Sequence, residues 1–192
     1  PVQPDSGLAE AVTAGLSSVA LRVPAHRAMR ALLKATSKPL AAPSANASGG
    51  ISPTRAEHVL RSLDGRIPLI IDDGATLGGI ESTIVAVTDG KVRLLRPGPV
   101  VIDEAAGDDS PKIEAPGQLA AHYAPSKPLR IDATSADADE WHIGFGPIPG
   151  DVTLSATGSL AEAASRLFDQ LHAADVNEHP RIAVAPILSA GI

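Results

Sequence analysis

Val152-Thr-Leu154, then Ser159-Leu-Ala-Glu-Ala-Ala-Ser-Arg-Leu-Phe-Asp-Gln-Leu-His-Ala-Ala174, then Ile182-Ala-Val-Ala185 read in turn as a strand, a helix and a strand. The outer pieces are short apolar runs. In the middle piece Leu160, Ala163, Ala164, Leu167, Phe168 and Leu171 recur at helical spacing and make one apolar face. Ser159-x-x-Glu162 is a capping box at its start. Leu129 to Ile131 and Ile143 to Phe145 add two more short buried-strand patterns upstream. A strand–helix–strand alternation implies a small parallel-sheet domain.

Working outward, Ile84 to Val87 and Val92 to Leu95 flank Asp89-Gly90 and predict a β-hairpin. The second strand delivers Arg96-Pro-Gly98, where the residues leave a solvated turn arginine and a phosphate contact equally open. Ile67 to Ile71 is expected as a short strand ending in Asp72-Asp73-Gly74. That ending is read as a turn rather than a Mg²⁺ site. Ser18 to Val23 alternates as a strand, and Pro24 opens a helix over Ala25, Ala28, Met29, Leu32 and Leu33 that ends by Pro39. Arg22 within that strand is either solvated or a carboxylate clamp. Leu8 to Leu16 reads as a short Ala-rich helical turn.

Between these pieces runs Lys38-Pro-Leu-Ala-Ala-Pro-Ser-Ala-Asn-Ala-Ser-Gly-Gly-Ile-Ser-Pro-Thr54. Ser52 before Pro53, or Thr54-x-x-Glu57, starts the helix that carries Val59, Leu60 and Leu63 and stops near Gly65. A Gly/Ser-rich turn at a helix N-terminus suits an anion. The same residues also make ordinary turns. The stretch is neither a P-loop nor a G-x-G-x-x-G fingerprint. Residues 99–128 read as a linker holding Tyr123, the one Tyr of the chain.

At 192 residues the chain can bury a core, and 44% hydrophobic residues make a globular composition. Aromatics are only 2%, so the core is aliphatic and no stacking platform for single-stranded nucleic acid is present. A net charge of −6 gives no broad electrostatic footprint for nucleic acid. The absence of cysteine excludes disulfides, thiolate nucleophiles and Cys-type zinc sites, and fits a cytoplasmic setting. No apolar run approaches membrane-spanning length.

Several ordered motifs resemble the YrdC-type threonylcarbamoyl-AMP synthase family in its long two-domain form. They are Val19-Ala-Leu-Arg-Val-Pro24 with His26, Pro39-Leu-Ala-Ala-Pro-Ser-Ala-Asn46 with Ser48-Gly49, and Ser52-Pro-Thr54. Further on come Gly79 with Glu81-Ser-Thr83, Leu95-Arg-Pro-Gly98, and Pro116-Gly117 with His122-Tyr-Ala-Pro125. The resemblance implies an α/β fold: a YrdC-like twisted mixed sheet with helices around a large cavity, then a small Rossmann-like C-terminal domain. It places the synthase part in residues 1–101, a linker crossing the active site in 102–128 and the small domain, incomplete, in 129–192.

By that resemblance the chain makes L-threonylcarbamoyladenylate and pyrophosphate from L-threonine, bicarbonate and ATP with Mg²⁺. The product feeds a downstream tRNA-modifying transferase complex that installs threonylcarbamoyl-adenosine. Arg22, Ser44 and Ser82 are similar to positions that contact threonine. Asn46, Ser52, Thr54, Arg96 and Tyr123 match positions that contact ATP. A carbamate oxygen attacks the α-phosphate directly, so no catalytic nucleophile and no protein metal ligand are nominated, and Tyr123 is expected on a lid.

The family's N-terminal Lys-x-Arg and Pro-Gly-Pro-x-Thr motifs are not in this sequence, and the chain is expected to be incomplete at that end. The competing reading is an RNA-binding YrdC-like module without turnover, with weak RNA binding. A carbamoyl-transfer domain of hydrogenase maturation proteins would call for Cys-rich zinc fingers, and Cys is absent.

Overall fold

The computed structural model describes residues 10–13, 18–102 and 123–187. The chain divides into two compact units, Pro1–Pro43 and Ser44–Ile192. The first holds α1 (Glu10–Thr13) and α2 (Arg27–Thr36). Ser37 closes α2 in the left-handed region, its N–H bonding Leu33 O, and no residue of α2 is buried. The strand expected over 18–23 does not form, and Leu21 and Val23 are exposed. Alternation describes a strand only when a neighbour supplies the ladder, and among the described residues none pairs with it.

The second unit begins with α3 (Ala56–Leu63), followed by the antiparallel hairpin β1 (Ile84–Thr88) and β2 (Lys91–Arg96). Asp89 (φ 51°) and Gly90 (φ 74°) both sit in the left-handed region between paired Thr88 and Lys91. That is the two-residue primed turn expected from Asp-Gly. The 67–71 strand does not form either, and Leu69 and Ile71 are exposed. Its Asp72-Asp73-Gly74 end is the expected turn, with Gly74 N–H on Asp72 Oδ1 at 2.9 Å.

The remainder is a four-stranded parallel sheet in the order β3-β6-β4-β5, with β3 Leu129–Arg130, β4 Glu140–Gly144, β5 Val152–Thr153 and β6 Arg181–Val184. Helix α4 (Leu160–Val176) connects β5 to β6. Its Ala163, Phe168, Leu171 and Ala174 pack in one cluster with Ile143, Leu154, Ile182 and Val184 of the sheet region. This is the strand–helix–strand unit the sequence predicts, and the chain is α/β. Beside the core, Glu140 is buried and takes bonds from Arg130, Arg181 and the Asp137 amide. Chiefly the Arg130 bond, then the Asp137 amide, pull its carboxyl down to about 2.

Ser159 caps α4 by accepting the Glu162 N–H at 3.3 Å. The Glu162 side chain does not return the bond to Ser159. It accepts instead from the Ser155 hydroxyl at 2.6 Å, and Ser155 Oγ accepts the Ser159 N–H at 3.0 Å. Ser159→Ala is expected to cost about 1 kcal/mol in urea denaturation, the usual loss of an N-cap.

Candidate functional site

The site grows from the end of the hairpin. A register irregularity between Ile84 and Val85 puts Ile84 opposite Arg96, the buried last residue of β2. An extra residue at a strand end re-aims a side chain. The Arg96 guanidinium donates Nε–H to Ser82 O at 3.0 Å and Nη2–H to the same carbonyl at 2.8 Å and to Ser82 Oγ at 3.2 Å. Its Nη1–H reaches the Tyr123 hydroxyl at 2.9 Å. The Glu81 carboxylate stands 3.6 Å from Nη2, and its other oxygen accepts from the Ser52 hydroxyl. One planar fork therefore joins residues 81–82 to Tyr123, as suits its fixed donor geometry, and Glu81 extends the link to Ser52.

Tyr123 is held from behind as well. Its φ is +60°, and the next residue, Ala124, bonds Gly49 O at 3.1 Å and bridges Gly50 in parallel fashion. The Tyr123 ring lies 5.7 Å from that of Phe168 on α4. Asn46 donates Nδ2–H to Ala47 O and Gly50 O, both at 3.0 Å. Its Oδ1 is out of solvent and has no hydrogen-bond partner. Ala45 (φ 58°) and Gly49 (φ 83°) bend this loop, and Ala47 N–H to Ser62 Oγ at 2.7 Å ties it to α3.

Of the residues expected to bind ligand, this unit brings Ser52, Ser82, Arg96 and Tyr123 into one network through Glu81, while Asn46 bonds Ala47 O and Gly50 O on the adjoining loop. Thr54 is buried nearby on the same loop, and Ser44 is exposed. Arg22 is exposed in the other compact unit. His122 lies outside the described residues. Neither expected cap of α3 forms. The N-cap is Arg55, without a side-chain bond, because Ser52 Oγ is taken by Glu81 and Thr54 Oγ1 lies against His58 Nδ1 at 3.3 Å.

A second cluster, not anticipated from sequence, joins this loop and α3 to α4. Arg55 grips Asp169 through Nε at 2.5 Å and Nη2 at 3.1 Å. His58 and His172 stack with ring centroids 3.8 Å apart and planes 24° from parallel. His172 Nε2 lies 3.2 Å from Ser52 O, and the Thr54 N–H donates to His58 Nδ1 at 3.2 Å. Burial first, then the neighbouring His172, push His58 down to about 4. Burial also lowers His172, against the Ser52 contact, while Arg55 holds the Asp169 carboxyl below its usual range. An open depression of about 300 Å³ borders this cluster, lined among others by Thr54, Arg55, Thr76, Ser165 and Asp169. Thr54 is its one residue from the expected ligand set.

Glu81, His58, His172 and Asp169 went unpicked in the sequence. Glu81 had a usable signal, since it stands inside the Glu81-Ser-Thr83 motif itself. Among the described residues no group of three or more His, Cys, Asp or Glu is arranged to hold a metal ion. No helix among them is long and apolar enough to cross a membrane.

Two family models match the chain. The Sua5/YciO/YrdC model, described as telomere recombination, covers residues 2–98, and the threonylcarbamoyl-AMP synthase C-terminal domain model covers 76–192. The chain is similar to the threonylcarbamoyl-AMP synthase of Bacillus subtilis, 45% identical over 68% of this chain and 41% of that protein. It is also similar to the Pyrococcus abyssi synthase, 33% identical over 94% of this chain and 61% of that protein. The chain thus spans less than two thirds of these relatives' length.

Among solved structures, P. abyssi Sua5 complexed with L-threonine superposes with a TM-score of 0.81 at 31% identity, covering 94% of this chain and 62% of that one. A P. abyssi Sua5 variant with a consecutive His and Tyr both replaced by Ala gives 0.78 at 30% identity, covering 94% and 61%.

Fold and site together define an α/β protein in which a polar loop-and-hairpin network is braced by the helix of a parallel-sheet domain. The chain belongs to the Sua5/YciO/YrdC family and carries the C-terminal domain of threonylcarbamoyl-AMP synthases.

Proposed function

We propose that this chain serves L-threonylcarbamoyladenylate synthesis from L-threonine, bicarbonate and ATP, with release of pyrophosphate. The observation that carries this is the Arg96 network. It joins Ser82 and Tyr123 at one guanidinium and reaches Ser52 through Glu81, and all four match by motif positions that contact ligand. The relatives' names and the threonine complex of P. abyssi Sua5 support the same reading.

In this reading threonine's amine and bicarbonate give a carbamate, whose oxygen attacks the α-phosphate of ATP as pyrophosphate leaves. The chain's own tasks are alignment, exclusion of water and stabilisation of charge. Ser44 and Ser82 serve the threonine, and the Arg22 guanidinium has the chemistry to bind a carboxylate. Asn46, Ser52, Thr54 and Arg96 serve the nucleotide, and the unpartnered Asn46 Oδ1 suits an amino group as donor. Mg²⁺ would enter on the ATP phosphates, and among the described residues no group is arranged to hold it. The reaction is placed in the cytoplasm, and its product passes to a transferase that modifies tRNA.

The test is pyrophosphate release that requires threonine, bicarbonate and ATP together; ATP turnover indifferent to threonine would end this reading. Tyr123 adds a sharper check. Its hydroxyl occupies Arg96 Nη1, and the backbone of the next residue, Ala124, pairs with the Gly49–Gly50 edge, an arrangement suited to a lid. Tyr123→Ala is expected to raise the ATP KM about tenfold or to uncouple ATP hydrolysis from product. Steady-state kinetics matching the parent chain would remove the lid.

A further inference from the structure

We propose that His58 and His172 form a proton-sensitive clasp that positions the Ser52–Thr54 loop, making helix α4 a positioning element for the nucleotide side of the site. Its effect on ATP rests on the function proposed above; the clasp itself does not.

The tautomer follows from what the backbone can do. A main-chain N–H only donates, so His58 Nδ1, which receives the Thr54 N–H at 3.2 Å, carries no proton. The ring's single proton is then on Nε2, which stands 3.8 Å from Asp169 Oδ1. Ser52 O only accepts, so His172 Nε2 at 3.2 Å donates. The two rings hold two polar points that flank Pro53 in one loop: the Ser52 carbonyl through α4 and the Thr54 amide through α3. Thr54 and Ser52 are both buried, so no water replaces either bond without the loop moving.

A second proton on His58 has to go to Nδ1. The ring then confronts the Thr54 amide donor with another donor, and its bond shifts to the Thr54 hydroxyl at 3.3 Å. The same event sets a cation against the His172 ring at 3.8 Å. The surrounding charges are mixed. Arg55 and Arg61 oppose protonation of His58, and Asp169 favours it. For His172, Arg61 opposes protonation while Asp169 and Asp175 favour it.

Burial leads in both cases, so both rings are neutral at pH 7. A histidine depressed in the fold contributes stability that is complete above its unfolded value near 6.5. That contribution is lost as pH falls from there through the folded value of about 4. The clasp is therefore shut at neutral pH and opens in acid.

Native-state hydrogen exchange at the Thr54 amide reads the clasp without any substrate. Its protection factor is expected to fall at least tenfold between pH 7 and pH 5. His58→Gln keeps an acceptor that does not titrate and should flatten that pH dependence. His172→Ala should lower Thr54 protection about tenfold at pH 7.5 and raise the ATP KM by a similar factor with a smaller change in kcat. His172→Gln, which restores a donor toward Ser52 O, should recover both.

Thr54 protection that is flat from pH 7 to 5, or His172→Ala matching the parent in protection and KM, would overturn the clasp. If the parent chain releases no pyrophosphate, the functional reading fails and the exchange data still decide the clasp.

Discussion

Arg96→Ala is expected to cut threonine-dependent pyrophosphate release at least a hundredfold and to cost roughly 2–4 kcal/mol of stability. The side chain is about 10% exposed and spends its donors on Ser82 O, Ser82 Oγ and Tyr123 Oη. Truncation strips the partner from each of them. It also removes the cation beside Glu81, whose side chain is only 20% exposed, leaving that carboxylate to Ser52. Arg96→Lys separates the two effects. A lysine restores charge near Glu81 but cannot span Ser82 and Tyr123 with one planar fork. Stability should recover in part while turnover stays low. Urea denaturation alongside the pyrophosphate assay checks both, and a folded Arg96→Ala chain at parental turnover would take the network out of the chemistry.

Gly79→Ala is expected to cost about 3 kcal/mol or more of stability. Gly79 has φ +69°, and a Cβ there would press on the carbonyl oxygens of Ala164 and Ser165 in α4 more closely than real Cβ atoms approach anything. Both obstacles are helix backbone, which cannot swing aside as a side chain can. Gly74→Ala is the control. It too has positive φ, +87°, but nothing lies within 4 Å of its added Cβ, so only the backbone cost of about 1 kcal/mol applies. Thermal denaturation of the pair measures the close approach directly. Equal losses would show that backbone conformation, and not the helix, sets the requirement at Gly79.

How much was legible follows from where each element's stabilisation originates. The α4 helix, the Ser159 half of its capping box and the Asp89-Gly90 hairpin are written in neighbouring residues, and they form as expected. The patterns at 18–23 and 67–71 looked equally strand-like, yet a ladder is a property of two segments and each sequence pattern describes one. The caps at Ser52 and Thr54 failed for a related reason. At Ser52 local capping chemistry lost to Glu81, brought by the fold across 29 residues, and at Thr54 it lost to His58, four residues on within α3 itself.

The site divides the same way. Arg96 and Asn46 could be named from their motifs. The contact from His172 to Ser52 crosses 120 residues and that from Arg55 to Asp169 crosses 114, with no local trace at either end.

Gly79, Arg55, His58 and Ser52 all touch one face of α4, at Ala164–Ser165, Asp169 and His172. These eight positions behave as a matched set, like tumblers to a key. Grafting residues 129–192 from a relative onto this chain would bring an intact sheet with a foreign key. Such hybrids should regain function only when the loop, the glycine and the helix face are transplanted together.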